Sequence, residues 1–332
     1  MAIYINTVFT HFLALQSLAT GKEMRLTLNA RNFTLEVKYR GRYFTMLPMF
    51  QGLANGQLFH MDSLTKDVVG FGGWRPYRTI QHPYSNDKLL FKQFLRENGL
   101  KTPEYQPQDP MRAPSFDYVI KGARGSFGKQ ISGPYRGGTQ PEKDTWTQWA
   151  QGSPTFTERF VNGATAKVWF WGNKPIYALA HAFPSVRGDG KQTLDELMRV
   201  RLAKRRIDWA TCADREILLA CLAFQRADVA AVVPEDTDIW FDYRYAQRYE
   251  GTPVNAIESD NMLAELIDRD GDHVQRMGNA LADLMRKSVP APVLLTADCM
   301  IDQEGHLWWL EMNTNSLMPP EGYAAMFDDL FP

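Results

Sequence analysis

The chain has 332 residues, 44% hydrophobic and 23% charged, with 37 Lys and Arg against 38 Asp and Glu. That length exceeds what one simple core usually holds, so two or three subdomains are expected. The even charge balance gives no global field drawn to nucleic acid or to an anionic membrane, and neither is expected as a partner.

The N-terminus is apolar from Ile3 to Leu18 but interrupted by Asn6, Thr7, Thr10, His11 and Gln16. It lacks a basic leader and an unbroken apolar span, so neither a signal peptide nor a membrane helix is expected. Cys212, Cys221 and Cys299 are too few and too scattered for a disulfide framework or a zinc site, which fits a reducing cytoplasm. The six histidines form no close pair. Residues 1 to 84 read as a small α+β unit. Met24 to Leu28, Phe33 to Tyr39 and Tyr43 to Leu47 are β-like runs, and the glycine-rich Val69 to Trp74 reads as a loop without a phosphate-loop pattern.

A boundary falls near His82-Pro83-Tyr84. Ser85 or Asn86 then caps a predicted helix to Asn98, with Gly99 as its C′ residue and Lys88 in its first turn. Taken singly, Lys88 is as well read as a solvated lysine. The β run Phe116 to Lys121 leads into Gly122-Ala123-Arg124-Gly125-Ser126-Phe127-Gly128-Lys129-Gln130 and a short return strand. Such a flap brings backbone N–H groups of Gly125, Ser126 and Gly128 close to phosphate oxygens, with Lys121 pointing at the α- and β-phosphates. The plain alternative is a flexible hairpin tip.

Thr155 to Val161 is a further β run, and Asn162-Gly163 before Ala166 to Trp171 reads as a type I′ hairpin turn. Glu158, Phe160 and Val161 would form an extended linker offering main-chain groups to an adenine. Lys167, on the outgoing strand, is a candidate phosphate ligand or simply edge protection. The loop Phe183 to Thr193 carries Arg187 and Lys191. With the basic stretch 199–206, they hint at an anionic carboxylate donor, although a solvated helix face explains that stretch as well. Thr193 and Glu196 form a predicted capping box. Ile239 to Tyr245 alternates like a strand, placing Trp240, Asp242 and Arg244 on one face, and Arg244 is a candidate for stabilising a developing anion.

Near the end, Leu294 to Asn315 reads as a hairpin turned by Asp302 to Gly305. Glu311 and Asn313 are two apart and share a face, with Asp298 on the partner run. Two carboxylates and an amide oxygen suit Mg²⁺, which shares its shell with phosphates. Solvated surface acids are the equal alternative for this stretch alone. Asn315 and Ser316 follow as candidate substrate contacts.

In order, Asn86-Asp87-Lys88, the run KGARGSFG, the linker TERFVNG, the loop VRGDGKQTLDEL and the terminal D…EMN resemble the ATP-grasp superfamily of carboxylate–amine ligases. The loop VRGDGKQTLDEL is particularly similar to that of cyanophycin synthetases and glutathione-synthetase-like ligases, and the resemblance as a whole covers residues from about 85 to 316. The resemblance implies an α+β fold in which two α+β subdomains clamp ATP, preceded by a small α+β domain. The implied divisions are 1–84, 85–157 with the flap, and 158–332 with the metal hairpin. It implies Lys88 and Lys121 on the phosphates, Glu158 to Val161 at the adenine, and Asp298, Glu311 and Asn313 on Mg²⁺. The implied activity is ATP-dependent amide or peptide bond formation through an acyl phosphate, on amino-acid or peptide substrates. Lys121 and Arg244 are its candidate catalytic cations, and a homodimer is carried as an expectation. Two departures stand out: Ala164 and Thr165 follow the linker glycine where many members have an acid, and Thr296-Ala297 precede Asp298 where some have an arginine. A kinase acting on a small-molecule hydroxyl, or a nucleotide-binding regulatory or scaffold protein, would use the same nucleotide site.

Overall fold

The computed structural model describes residues 2–54, 57–109, 112–125, 130–141, 154–244, 249, 260–289 and 292–332. The apolar N-terminus forms helix α1 (Ala2–Gly21). No helix among the described residues is long and apolar enough to cross a membrane. An antiparallel sheet follows: β1 (Arg25–Leu28), β2 (Leu35–Tyr39), β3 (Arg42–Ala54), β4 (Gln57–Met61) and β5 (Val68–Arg75). Here the predicted loop at Val69 to Trp74 is corrected, because it is strand β5 paired with β3. Its glycines serve close packing rather than a turn. Gly73 has φ +102°, and a Cβ there would meet the Tyr323 hydroxyl at 2.6 Å, so only glycine fits without strain.

Next come the short helix α2 (Pro83–Asn86) and helix α3 (Lys88–Glu97). The cap of α3 is Asp87, not Ser85 or Asn86. Its carboxylate accepts from the Leu89 and Leu90 N–H groups, and Gly99 follows in the left-handed region with φ +62°. A four-stranded antiparallel sheet in the order β6-β9-β7-β8 contains β6 (Tyr105–Pro107), β7 (Tyr118–Gly122), β8 (Ile131–Tyr135) and β9 (Thr155–Arg159).

The central sheet has the order β11-β10-β14-β15, with β10 (Gly163–Trp171), β11 (Lys174–Ala182), β14 (Leu294–Asp302) and β15 (Leu307–Asn313). β9 and β10 therefore lie in different sheets, and Asn162-Gly163 is a crossing between them rather than a hairpin turn. Tertiary pairing overrides the local turn signal. β12 (Ser185–Arg187) pairs β13 (Asp238–Trp240) alone. The predicted strand to Tyr245 stops at Trp240 because the Asp242 carboxylate accepts from the Tyr243 and Arg244 N–H groups, a local turn that competes with the ladder. Helices α4 (Leu194–Ala203), α5 (Arg215–Phe224), α6 (Leu263–Arg286) and α7 (Tyr323–Leu330) complete the fold. The Thr193–Glu196 capping box opens α4 as expected. The architecture is α+β, with antiparallel sheets throughout.

Alternation on the central sheet decides where chemistry can sit. Val168, Phe170, Leu295, Ala297, Cys299, Trp309 and Met312 bury one face beneath α3 and α6. The opposite face is divided. Trp169, Trp171 and Leu294 join a core with α1, the N-terminal sheet and α7. Met300, Trp308 and Leu310 join a second core with α4 and α5. Between these two cores, on the same face, lies a row of charged side chains.

Candidate active site

The row is set by strand register. Lys167 on β10 stands opposite Asp298 on β14, which stands opposite Glu311 on β15. A bulge between Asp298 and Cys299, with Leu310 as the extra residue opposite, lets Glu311 face Asp298 while Met312 still faces the core. Lys167 Nζ pairs with Asp298 Oδ1 at 2.9 Å, and Asn313 Nδ2 donates to Asp298 Oδ2 at 3.1 Å. Lys88, at the first position of α3, reaches Glu311 Oε2 at 3.1 Å and also donates to the Gly125 carbonyl. Helix α3 is held in place for this by the Lys88 N–H bond to the Ala123 carbonyl at the end of β7. Lys88, Lys167, Asp298, Glu311 and Asn313 are thus one cluster drawn from a helix and three strands.

A second, deeper group adjoins it. Glu158 is 2% exposed and pairs with Lys121 at 2.5 Å and with Lys92. Lys92 is 1% exposed and lies beside the Tyr105 ring. Burial lowers the Lys92 ammonium from its ordinary range, only partly offset by Glu158. Burial alone would raise Glu158, but the charges of Lys121 and Lys92 outweigh it and hold the carboxylate ionised below its usual value. The sequence does not single out Lys92. Its spacing of four from Lys88 places both on one helical face, which is the signal that was there to read.

The acids of the row behave differently from each other. Burial, reinforced by the Glu311 charge against the opposing pull of Lys167, pushes Asp298 up to about 6. Glu311 is held low because Lys88, Lys121 and Lys167 together outweigh its burial. Lys167 is raised, since Asp298 and Glu311 outweigh its burial. Two carboxylates forced together beside an amide form an all-oxygen donor set with one acid already reluctant to ionise, which fits a divalent cation. Among the described residues no group of three or more His, Cys, Asp or Glu could hold a metal. Any cation here would therefore rest on two acids, the Asn313 amide oxygen and ligand oxygens.

The remaining expected residues fall elsewhere. Ser126 and Gly128 lie outside the described residues. The main-chain N–H groups of Arg159 and Phe160, expected to face an adenine, already donate to the Glu104 and Asp117 carbonyls. Glu158 itself sits mid-sheet, paired with both Tyr105 and Val119. The Phe160 ring stacks on Trp240, and Val161 packs beside that aromatic core. Arg187 is exposed and gripped by Asp236, and the Lys191 N–H closes a turn on Asp189. Arg244 is 7% exposed in its side chain, with bonds to Asp242 at 2.9 Å and Asp214 at 3.1 Å. Burial opposes its charge, but these two acids outweigh that and hold it firmly protonated. Its donors serve the α4–α5 core, and these contacts lend no support to the anion-stabilising expectation. The Asn315 amide ties Ile80 to the end of β15 through both its oxygen and its nitrogen, and Ser316 bonds Thr296 at 2.6 Å.

No protein-family profile matches the chain, and no curated protein does. Several solved ligase structures are similar to it. A bifunctional glutathione synthetase from Pasteurella multocida is 15% identical over 92% of this chain and 39% of that one, with a TM-score of 0.41. D-alanine–D-alanine ligase from Bacillus anthracis is 15% identical over 74% of this chain and 63% of that one, at 0.37. An ATP-grasp ligase, PsnB, solved with a minimal precursor, is 12% identical over 71% and 54%, at 0.34. The chain spans less than two thirds of the length of each of these proteins. With TM-scores this low, the functional reading rests on the site's own residues.

Proposed function

We propose that the protein is an ATP-dependent carboxylate–amine ligase that forms an amide or peptide bond and releases ADP and phosphate. The observation that carries this reading is the convergence of Lys88, Lys121 and Lys167, from three separate elements, around Glu158, Asp298 and Glu311. A polyphosphate is the ligand such a set suits, since its oxygens can take the lysines while the acids turn to a cation. Asp298, Glu311 and Asn313 would hold Mg²⁺, which supplies charge neutralisation at the phosphate oxygens when bound. Lys88 and Lys121 orient the phosphates, and Glu158 with Lys92 fixes the position of Lys121.

In the reaction, an oxygen of the substrate carboxylate attacks the γ-phosphorus, the bond to ADP breaks, and an acyl phosphate forms. The amine then attacks the acyl carbon, phosphate leaves, and the amine gives up a proton. Phosphoryl transfer through a loose transition state asks for positioning and electrostatics rather than a protein nucleophile. The cluster offers both.

The test is an ATP-consumption screen over amino-acid pairs and short peptides, with mass spectrometry of the products. ADP and phosphate formed in step with an amide-linked product are expected. A stable phosphorylated acceptor points instead to a kinase, and ATP binding without turnover on any mixture to a regulatory protein.

A further inference from the structure

Arg75 ends β5 beside the exit of β15, and its side chain is 2% exposed. Nη1 donates to Asn315 Oδ1 at 3.3 Å. Among the described residues, Nε and Nη2 are buried without a hydrogen-bond partner, and no carboxylate pairs with the guanidinium. These two nitrogens are neighbours on one edge, and their parallel N–H groups match the two oxygens of a carboxylate. Three other arginines use this same edge on an acid: Arg187 on Asp236, Arg199 on Asp195 and Arg244 on Asp242. In Arg75 the edge is prepared and carries no acid.

The contacts that Arg75 does make include no ion pair among the described residues. The Tyr77 ring lies 5.4 Å away, a cation–π contact. Removing an ion from water costs more than one neutral hydrogen bond returns. The Tyr77 hydroxyl accepts from the Leu294 N–H and is within reach of the Arg75 charge, and Asn315 Oδ1 is shared with the Ile80 N–H at 3.0 Å. An anion on the open edge would supply what is missing. Asn315 is two residues past Asn313, just beyond the end of β15 where the chain bends, so that anion would sit near the end of the charged row.

We propose that Arg75 binds a second, non-reacting carboxylate of the substrate, held side-on by Nε and Nη2, and so selects acids with two carboxylates a few bonds apart. Which carboxylate reacts rests on the ligase reading, whereas the carboxylate site itself does not. Arg75 is a specificity residue here, in a segment of the chain to which the sequence motifs assign no chemistry.

The experiment is calorimetric titration of the full chain with glutarate, succinate, acetate and inorganic phosphate, with and without Mg²⁺-ATP. Arg75→Leu, Arg75→Lys and Asn315→Asp are titrated alongside, and ATP affinity is measured on every sample. Glutarate or succinate is expected to bind the wild type, and to bind both Arg75 variants about ten- to a hundredfold more weakly at unchanged ATP affinity. Lysine keeps the charge but not the fork. Asn315→Asp places an acid beside the guanidinium within the chain and is expected to abolish dicarboxylate binding, which keeps the test decisive if Arg75→Leu does not fold. No dicarboxylate binding to the wild type, equal binding by wild type and Asn315→Asp, or binding of phosphate alone overturns the proposal. If glutarate binds through Arg75 while ATP does not bind at all, the ligase reading falls and the carboxylate site stands.

Discussion

Two clusters of buried charge in this molecule are built on opposite plans. Arg244, Asp242 and Asp214 come from within 30 residues of one another and pair beside an aromatic core. The cluster of Lys88, Lys92, Lys121 and Lys167 with Glu158, Asp298 and Glu311 is drawn from a helix and strands of two sheets. In the first, one arginine is saturated by two acids, whose contacts also hold Tyr249. In the second, four ammonium groups face three carboxylates, and the Lys167, Asp298 and Glu311 side chains keep partial access to solvent. In the first cluster the acids are turned toward the arginine, which holds shape. An open one with cationic excess retains capacity for an anion, and its acids are spared for a cation once phosphate takes the lysines.

The sharpest way to break that comparison is Glu311→Gln. The substitution keeps size and hydrogen bonding but removes one of the three carboxylates facing the lysines. Turnover is expected to fall by at least about a thousandfold, with nucleotide affinity nearly retained, as judged by steady-state rates beside equilibrium ATP binding. Equal activity of mutant and wild type would remove Glu311 from the chemistry. Arg244→Leu tests the other side. It leaves the buried Asp242 without its counter-charge and is expected to lower unfolding free energy by about 3–5 kcal/mol in urea. Its kcat per folded molecule should not change. A fall in kcat at full stability would return Arg244 to the site.

What the sequence made legible follows from the range over which each residue acts. Asp298, Glu311 and Asn313 lie on one hairpin, where period two places them together, and Lys167 sits on the strand beside it. Lys92 and Arg75 were illegible for a shared reason. One lies within a predicted helix and the other just past a predicted loop, until tertiary packing buries each. The same applies to Val69 to Trp74, whose glycines signal a loop locally but admit Tyr323 from the far end of the chain. Asn162-Gly163 carries a hairpin signal that the pairing of β9 and β10 in separate sheets overrides. Local chemistry was readable, whereas partners chosen by tertiary packing were not.

That long-range junction offers a third, smaller test, because its polar pair is neutral where both clusters are charged. His11 is buried, its Nδ1 lies 2.9 Å from the Tyr323 hydroxyl, and that hydroxyl accepts from the Trp74 N–H. Burial lowers the imidazole from 6.5 to about 4. Between those values the unfolded chain binds the proton and the folded chain does not, so stability rises with pH across this window and is lost on acidification through it. The loss at full extent is about 3 kcal/mol. Urea midpoints from pH 7 to 4 should show it, and His11→Phe should flatten that part of the profile.

The smallest effect is expected at Arg187, and it bears on the same contrast from the surface. Arg187 is 64% exposed in its side chain, with Asp236 at 2.9 Å and Asp238 at 3.9 Å. Exposed pairs of this kind contribute about 0–1 kcal/mol and are screened by salt, so Arg187→Ala should shift the unfolding midpoint little, and less still at high ionic strength. Its charge is already answered by two acids, as that of Arg244 is, and unlike Arg75 its carboxylate-binding edge is filled. The KM for the carboxylate donor is therefore expected to stay unchanged on Arg187→Ala. A rise in KM at constant kcat would show that a substrate acid displaces Asp236, and would move recognition of the donor from the buried Arg75 edge to the solvent-exposed loop.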